Sequence, residues 1–272
     1  MDSSSDASDG AVTPSKFTIG GNVSGLVGAG LVLQNNGGDD LSVNGDGPFT
    51  FATSLTDGTN YAVSVSVQPT GQLCAVTNGS GKLAGAKVTN VAVACKTLYT
   101  VGGTVTGLVG TGLVLTNNGG DDITLDAGGP FTFATKVVDG GAYTVAVKTS
   151  PTGPAQTCAV VDGNGNVPGA DVTSVIIKCA SKVCTTPNEN QSGDITCPAG
   201  TTVKSIDFAS YGTPTGACEA FVASACDAAT SMAVVEAACL GNATCSLSAT
   251  NGVFGDPCVG TFKRLYAQAT CE

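Results

Sequence analysis

The strongest constraint on the fold of this 272-residue chain is a long internal repeat. A stretch that starts at Phe17 returns at Tyr99, and the two copies read FTIGGNVSGLVGAGLVLQNNGGDD and YTVGGTVTGLVGTGLVLTNNGGDD. The offset of 82 residues becomes 84 after Pro151, so the second copy carries a two-residue insertion. Self-similarity over this length indicates a duplicated folding unit. We therefore predict two copies of one domain, at residues 16–97 and 98–180.

Each copy has the pattern of a small all-β domain. Residues 61–67 alternate apolar and small side chains, which is the period of a strand with one buried face. Turn-forming clusters such as NNGG, NGDG and NGSG recur at short intervals, and about seven short strands fit into each copy. The shared phrase GGxVxGLxGxGLVLxNNGGDD resembles the Ig-like or prealbumin-like β-sandwich modules of secreted bacterial surface proteins.

The cysteines indicate a disulfide framework. There are 12 of them, with no histidine and no CxxC pair, so the sequence indicates no metal site. Each copy has one pair that would join its last two long strands, namely Cys74–Cys95 and Cys158–Cys179. The other eight cysteines lie between Cys184 and Cys271. Because disulfides persist in oxidising compartments, we expect an extracellular or cell-surface protein whose signal peptide has been removed.

Charge and composition exclude several classes of function. The net charge is −10, and Arg264 is the only arginine. Nucleic acids and anionic membrane surfaces attract clustered Lys and Arg, so neither is an expected partner, and no stretch is apolar enough to insert into a membrane. Histidine, the commonest general base, is absent. With no segment of catalytic-domain size left over, we predict a protein that is not an enzyme and uses no cofactor.

Three shorter features also bear on the organisation. The NNGGDD phrase has two interpretations, a calcium site or a hairpin turn. We favour the turn, because adjacent Asp39 and Asp40 on a strand point to opposite faces.

Residues 1–15 are rich in Ser and Asp and are expected to form a disordered tail unless a neighbouring subunit holds them. The joints at residues 96–97 and 180–182 are short, which predicts a semi-rigid rod.

The last part of the chain, residues 181–272, has a different composition. It contains the phrases ITCPAG, FASYGTPTGAC, VVEAACLGNATCSL and FGDPCVGTFKRL. A helix is expected at residues 232–239, with Ser231 as its N-cap and Gly241 as its stop. These phrases together resemble the SUEL-type galactose- and rhamnose-binding lectin domain, most closely the copies at the C-terminus of plant β-galactosidases. The resemblance implies four disulfides: Cys184–Cys218, Cys197–Cys271, Cys226–Cys258 and Cys239–Cys245. The predicted fold class is mainly β, with two tandem disulfide-linked Ig-like β-sandwiches followed by a small disulfide-rich α/β domain.

The stretch NGVFGDPCVGTFK at residues 251–263 is the predicted binding loop. Pro257 and a disulfide at Cys258 would make the loop rigid, with Asp256 and Lys263 facing solvent. A carboxylate and an ammonium group suit sugar hydroxyls as acceptor and donor. The resemblance implies sugar contacts from Asp256, Gly260 and Lys263, and Tyr211 of the YG segment is a candidate for an apolar wall or a hydroxyl at the same site.

Two positions depart from the family pattern. Thr185 stands where binding members commonly have a glutamate after the first cysteine, and Glu189 close by is the candidate substitute. Thr213 replaces an arginine of the usual pattern. The alternative interpretation of FGDPC is a disulfide-anchored turn that any member needs in order to fold.

We therefore predict a secreted, carbohydrate-binding adhesion protein. Two sandwiches would form a stalk, and the lectin-like domain would bind galactose- or rhamnose-containing glycans. The alternative is a structural subunit of an extracellular filament or surface layer, which would self-associate through open sheet edges and the N-terminal tail.

Overall fold

The computed structural model describes residues 13–272, so most of the predicted acidic tail lies outside the described residues. The chain divides into two compact units. One unit holds the described residues up to Tyr99 together with Val137–Gly141, and the other holds Thr100–Lys136 together with Ala142–Glu272. The predicted boundaries of three domains and the predicted rod stay predictions.

The first repeat consists of ten strands. They are β1 (Lys16–Phe17), β2 (Ile19–Ser24), β3 (Leu31–Asn35), β4 (Gly38–Val43), β5 (Gly47–Thr50), β6 (Leu55–Thr56), β7 (Asn60–Val67), β8 (Gln72–Thr77), β9 (Ser80–Lys82) and β10 (Val88–Tyr99). They form two four-stranded sheets, in the orders β5-β2-β10-β8 and β4-β3-β7-β9, while β1 pairs with β6. Strands β2 and β10 run parallel, and the other pairs of these sheets are antiparallel.

The two sheets of the first repeat share one hydrophobic core. Alternate side chains point inward from both sheets, because successive residues of a strand face opposite ways. The buried set includes Ile19, Leu33, Phe51, Val63 and Val93. This arrangement is the predicted β-sandwich.

From its first long strand onward, the second repeat has the same order of elements as the first. Its strands are β11 (Val101–Thr106), β12 (Leu113–Asn117), β13 (Asp121–Leu125), β14 (Gly129–Thr132), β15 (Val137–Val138), β16 (Ala142–Thr149), β17 (Thr157–Val161), β18 (Asn164–Asn166) and β19 (Val172–Thr185). The sheets run β14-β11-β19-β17 and β13-β12-β16-β18. Strand β15 belongs to the first unit, where it pairs with the end of β10.

The double glycine that opens each copy is required by close backbone contact. A Cβ atom at Gly21 would lie 1.8 Å from the carbonyl oxygen of Val91, and one at Gly103 would lie 1.7 Å from that of Val175. Each glycine lies where the first and last long strands of its sandwich run parallel. Only a residue without a side chain fits at these positions.

The NNGG phrases form hairpin turns, as predicted. Asn36 and Gly37 have φ values of 53° and 71°, and the equivalent Asn118 and Gly119 have 50° and 70°. The Asp39 carboxylate accepts a hydrogen bond from the Thr53 amide at 3.1 Å. In residues 13–272 no group of three or more acidic, cysteine or histidine side chains is arranged to hold a metal ion.

The cysteine-rich C-terminal part combines strands with two helices. Its elements are β20 (Ser192–Thr196), β21 (Val203–Gly212), α1 (Ser231–Cys239), β22 (Thr244–Ser248), α2 (Asn251–Phe254) and β23 (Arg264–Cys271). Strand β23 pairs with β21 on one side and with the end of β19 on the other, while β20 pairs with β22. A second hydrophobic core lies between these strands and α1, around Ile195, Tyr211, Val235, Leu247 and Leu265.

The predicted joints are parts of strands. Residues 180–182 lie inside β19, whose first part pairs with β17 of the second sandwich and whose last part pairs with β23. Residues 96–97 likewise lie inside β10. The segments predicted to be free linkers are therefore hydrogen-bonded strand residues.

Helix α1 lies where the sequence predicts it, but its predicted cap is wrong. The N-cap residue is Thr230, and Ser231 is the first helical residue. The Ser231 hydroxyl donates to the Ala228 carbonyl at 2.7 Å and accepts from the Tyr211 amide at 2.9 Å. It therefore joins the helix to β21 instead of capping it. Gly241 follows the helix end with a φ of 77°, as a helix stop requires.

All 12 cysteines are paired in disulfides. Cys74–Cys95 and Cys158–Cys179 each join directly opposite residues of antiparallel strands. The C-terminal pairs have the partners that the resemblance implies: Cys184–Cys218, Cys197–Cys271, Cys226–Cys258 and Cys239–Cys245. Six disulfides fit a protein of an oxidising compartment.

Within residues 13–272, no helix has the length and apolar character needed to cross a membrane.

Candidate functional site

The predicted binding loop runs from α2 to the start of β23. Gly255 ends α2 with a φ of 84°, a conformation that favours glycine. The Asp256 carboxylate then accepts a hydrogen bond from the Cys258 amide at 3.3 Å, and Cys258 is bonded to Cys226. Gly260 turns the chain again with a φ of 78°. These local constraints fix the Asp256 carboxylate, which is 34% exposed, on the loop.

Lys263 lies beneath this loop. Its side chain is only 2% exposed, and its ammonium group is 2.9 Å from Asp256 Oδ1 and 3.5 Å from Glu189 Oε1. The ammonium also donates to the Thr261 carbonyl at 2.9 Å. A buried ammonium must have its charge compensated and its protons bonded, and these three acceptors meet both requirements.

Glu189 is brought to Lys263 by the loop between β19 and β20. The Glu189 amide donates to the Lys263 carbonyl at 2.9 Å, and the Lys263 amide donates to Glu189 Oε2 at 3.0 Å. The Leu265 amide donates to the Pro187 carbonyl at 3.0 Å, which holds the same loop along β23. Residues 74 positions apart in the chain thus form one ion-paired cluster.

Tyr211 supports the cluster from the core. Its side chain is fully buried, its ring stacks on Phe254 with centroids 4.9 Å apart, and its hydroxyl donates to Asn251 Oδ1 at 2.8 Å. Both contacts lie on the short helix α2, which leads into the binding loop. Tyr211 therefore links β21 to the base of the loop.

The structure brings Tyr211, Glu189, Asp256 and Lys263 together, with Gly260 on the loop between the last two. The expectation that both Asp256 and Lys263 face solvent is wrong for Lys263. Its ammonium donates to the Thr261 carbonyl and forms ion pairs with Asp256 and Glu189 inside the fold, so it points inward. Two carboxylates around one ammonium leave the cluster with one negative charge.

Two members of the cluster, Lys263 and Tyr211, have raised pKa values, each for a different main reason. The pKa of Lys263 lies above its usual 10.5, first because its hydrogen bond to Asp256 favours the charged form; burial opposes this, and the charges of Asp256 and Glu189 add to it. The pKa of Tyr211 lies above its usual 10.0, first because of burial and then because of the negative charge of Glu189. A group whose pKa is higher in the folded chain than in the unfolded chain stabilises the fold. This contribution is complete at pH values below the unfolded-state pKa, and it is lost as the pH rises through the folded-state pKa.

We therefore expect the C-terminal domain to lose stability in alkali. Its Tm should stay level up to about pH 9.5 and then fall by several degrees, because both groups begin to titrate in the unfolded chain near pH 10. Circular dichroism melts of the wild type and of Lys263→Met between pH 8 and 11.5 test this. The variant should melt lower at neutral pH and lose less in alkali. A wild-type Tm that is level up to pH 11.5 would contradict the expectation.

The match to a known family decides the nature of this domain. Residues 195–271 match the family model described as the D-galactoside/L-rhamnose binding SUEL lectin domain. Residues 195–271 form a SUEL lectin domain. The matched stretch includes Tyr211, Asp256, Gly260 and Lys263, while Glu189 precedes it.

Curated relatives match the same part of the chain. "Beta-galactosidase 8" of Arabidopsis thaliana is 42% identical over 77 residues, and "Beta-galactosidase 6" of Oryza sativa subsp. japonica is 40% identical over 77 residues. In both cases the match covers 28% of this chain and 9% of the relative. The likeness is therefore to the lectin part of these proteins only.

Solved structures show a weaker likeness over more of the chain. The Bacillus anthracis TIE protein is 13% identical with a TM-score of 0.29, and the match covers 86% of this chain and 44% of that protein. The pilus adhesin SpaC from Lactobacillus rhamnosus GG is 12% identical with a TM-score of 0.23, and the match covers 60% of this chain and 30% of the adhesin. We draw no conclusion from likenesses at these TM-scores.

Proposed function

We propose that this protein is a non-enzymatic, extracellular lectin of an adhesion system, and that its SUEL lectin domain binds galactose- or rhamnose-type glycans. The family match over residues 195–271 carries the proposal. The two β-sandwiches would then serve as a stalk. The six disulfides support a location outside the cell.

We further propose that Asp256 is the main polar contact to the sugar. Its carboxylate is partly exposed and held at a fixed position, so it can accept hydrogen bonds from two neighbouring hydroxyls. Gly260 would allow the sugar close to the loop backbone. The Asp256 carboxylate would be held in position from the interior side by Lys263, Glu189 and Tyr211. Lys263 could contact the sugar only if it broke one of its present contacts. The preorganised carboxylate avoids an ordering cost on binding.

Replacing Asp256 by Asn is expected to weaken sugar binding by about 10-fold or more, because hydrogen bonds to a charged group contribute about 1.5–3 kcal/mol. Calorimetric titration with methyl galactoside and methyl rhamnoside measures this. Asp194→Asn is the matched control, since it removes one exposed carboxylate from β20 of the same domain. Thermal melts test whether Asp256→Asn folds as the wild type does, since Asp256 is also a charge partner of the buried Lys263. No binding of either sugar by the wild type would overturn the proposed function, and equal binding by Asp256→Asn would overturn only the role of this residue.

The alternative of a filament subunit stays a prediction. Strands β4 and β9 are the outer strands of one sheet in the first sandwich, which is the geometry that strand addition needs. The N-terminal tail on which this alternative also relies lies outside the described residues.

A further inference from the structure

The lectin domain has a concave feature whose lining includes none of the five predicted sugar-contacting residues. It is a cleft of about 270 Å³. Its lining residues are Gly212, Thr213, Pro214, Thr215, Phe262 and Arg264. The end of β21 and the start of β23 bring them together, since Gly212 is the register partner of Arg264. A Cβ atom at Gly212 would lie 1.9 Å from the Cys226 carbonyl oxygen, so the backbone at this wall is closely packed.

Part of the cleft lining is apolar. Phe262 is 61% exposed, although an aromatic ring gains free energy when it leaves water. Pro214 adds a second apolar surface. Ligand pockets are commonly built in this way, from apolar walls with a few placed polar groups. The flat face of a sugar ring is a suitable occupant for such a wall.

The polar side of the cleft carries a positive charge. Arg264 is the only arginine in a chain of net charge −10. The four ion pairs seen in residues 13–272 all use lysines, and Arg264 takes part in none of them. The guanidinium is therefore available to a ligand in the cleft. Its planar fork matches a carboxylate in a bidentate way, which an ammonium group does not.

Two threonines add hydroxyl groups to the polar part of the lining. Thr213 Oγ1 lies 2.6 Å from Ser224 Oγ, and this pair holds the Thr213 hydroxyl in place at the wall. Thr215 lines the same wall, where its backbone pairs with Val222. Hydroxyls of this kind can donate to or accept from those of a sugar.

We propose that this cleft binds a saccharide that carries a carboxylate, such as a uronic acid residue of an acidic glycan. Arg264 pairs with the carboxylate, and the ring packs on Phe262. Sites for drug-sized ligands have volumes of about 300–1,000 Å³. The volume of this cleft is slightly smaller, as expected for a site that holds a single sugar ring. This inference rests on the proposed function, because it names a class of glycan for a domain that binds glycans.

The test compares two ligands that differ only at one carbon atom. Methyl galactoside and methyl galactosiduronate are titrated at low ionic strength into the wild type, Arg264→Gln and Lys204→Gln. Lys204 is an exposed residue of β21 outside the cleft, so its variant controls for the loss of one positive charge. We expect the wild type and Lys204→Gln to bind the uronide about 10-fold more tightly than the galactoside, and Arg264→Gln to lose this preference. Arg264 has an exposed side chain, so thermal melts of its variant should match the wild type.

Each other outcome overturns the inference in a recognisable way. If the wild type binds the galactoside at least as tightly as the uronide, the cleft has no acidic preference and the proposed lectin function still stands. If Arg264→Gln keeps the preference, another group recognises the carboxylate. If the wild type binds neither ligand, both the inference and the galactoside-binding function fail.

Discussion

Removing the disulfide between Cys197 and Cys271 is expected to destabilise the lectin domain by about 4.5 kcal/mol, according to the loop-closure entropy of the unfolded chain. The two cysteines are 74 residues apart, so the bond closes a large loop. It also ties the end of β23 to the residue that follows β20. The double variant Cys197→Ala/Cys271→Ala should therefore unfold at a much lower urea concentration.

The matched control is the disulfide between Cys239 and Cys245, which is also buried but joins cysteines only 6 residues apart. The same relation gives about 2.4 kcal/mol for its removal. Urea unfolding of both double variants, followed by circular dichroism, measures the difference. Equal losses of stability would show that packing around the sulfur atoms, and not loop closure, dominates the effect.

Replacing Gln156 by Ala is expected to lower the stability of the second sandwich by about 2–4 kcal/mol, because a buried group with several hydrogen bonds is lost. The Gln156 side chain is 5% exposed. Its Oε1 accepts from the amides of Val109 and Gly110 at 2.8 and 2.9 Å, and its Nε2 donates to the Gly107 carbonyl at 2.8 Å. Without it, two amides and a carbonyl of the loop after β11 lose their partner.

Gln72 of the first sandwich is the internal control. It makes the same three bonds, to the amides of Val27 and Gly28 and the carbonyl of Gly25. Gln156 has one more partner, the Ser181 hydroxyl at 3.1 Å in β19. Gln156→Ala should therefore lose more stability than Gln72→Ala, by roughly 1 kcal/mol. Thermal unfolding and amide hydrogen exchange at the four loop amides measure this. Unchanged exchange in both variants would mean that water replaces the side chain.

The sequence alone determined the repeated architecture and the nature of the C-terminal domain. Two features could be predicted without any tertiary contact, because they depend only on neighbouring residues in the chain. They are the alternation of side chains in residues 61–67 and the turn signal at Asn36 and Gly37. The order of the eight C-terminal cysteines and the FGDPC phrase indicate the lectin domain because both are read directly along the chain, without any tertiary contact. The two glutamines were missed, since a glutamine is usually exposed and no local pattern indicates that it bonds a loop far away in the chain.

The exposure of the site residues was decided by the tertiary structure. FGDPCVGTFK predicts a rigid loop with a carboxylate and an ammonium group, but it does not show that Glu189, from another loop, completes the compensation of Lys263. Because three acceptors surround this ammonium, it is buried, while Asp256 stays at the surface. The same holds for Arg264, whose position in a cleft with Phe262 depends on the register of β21 and β23. A side chain's charge is a property of the sequence, but its partners are set by segments that only the fold brings together.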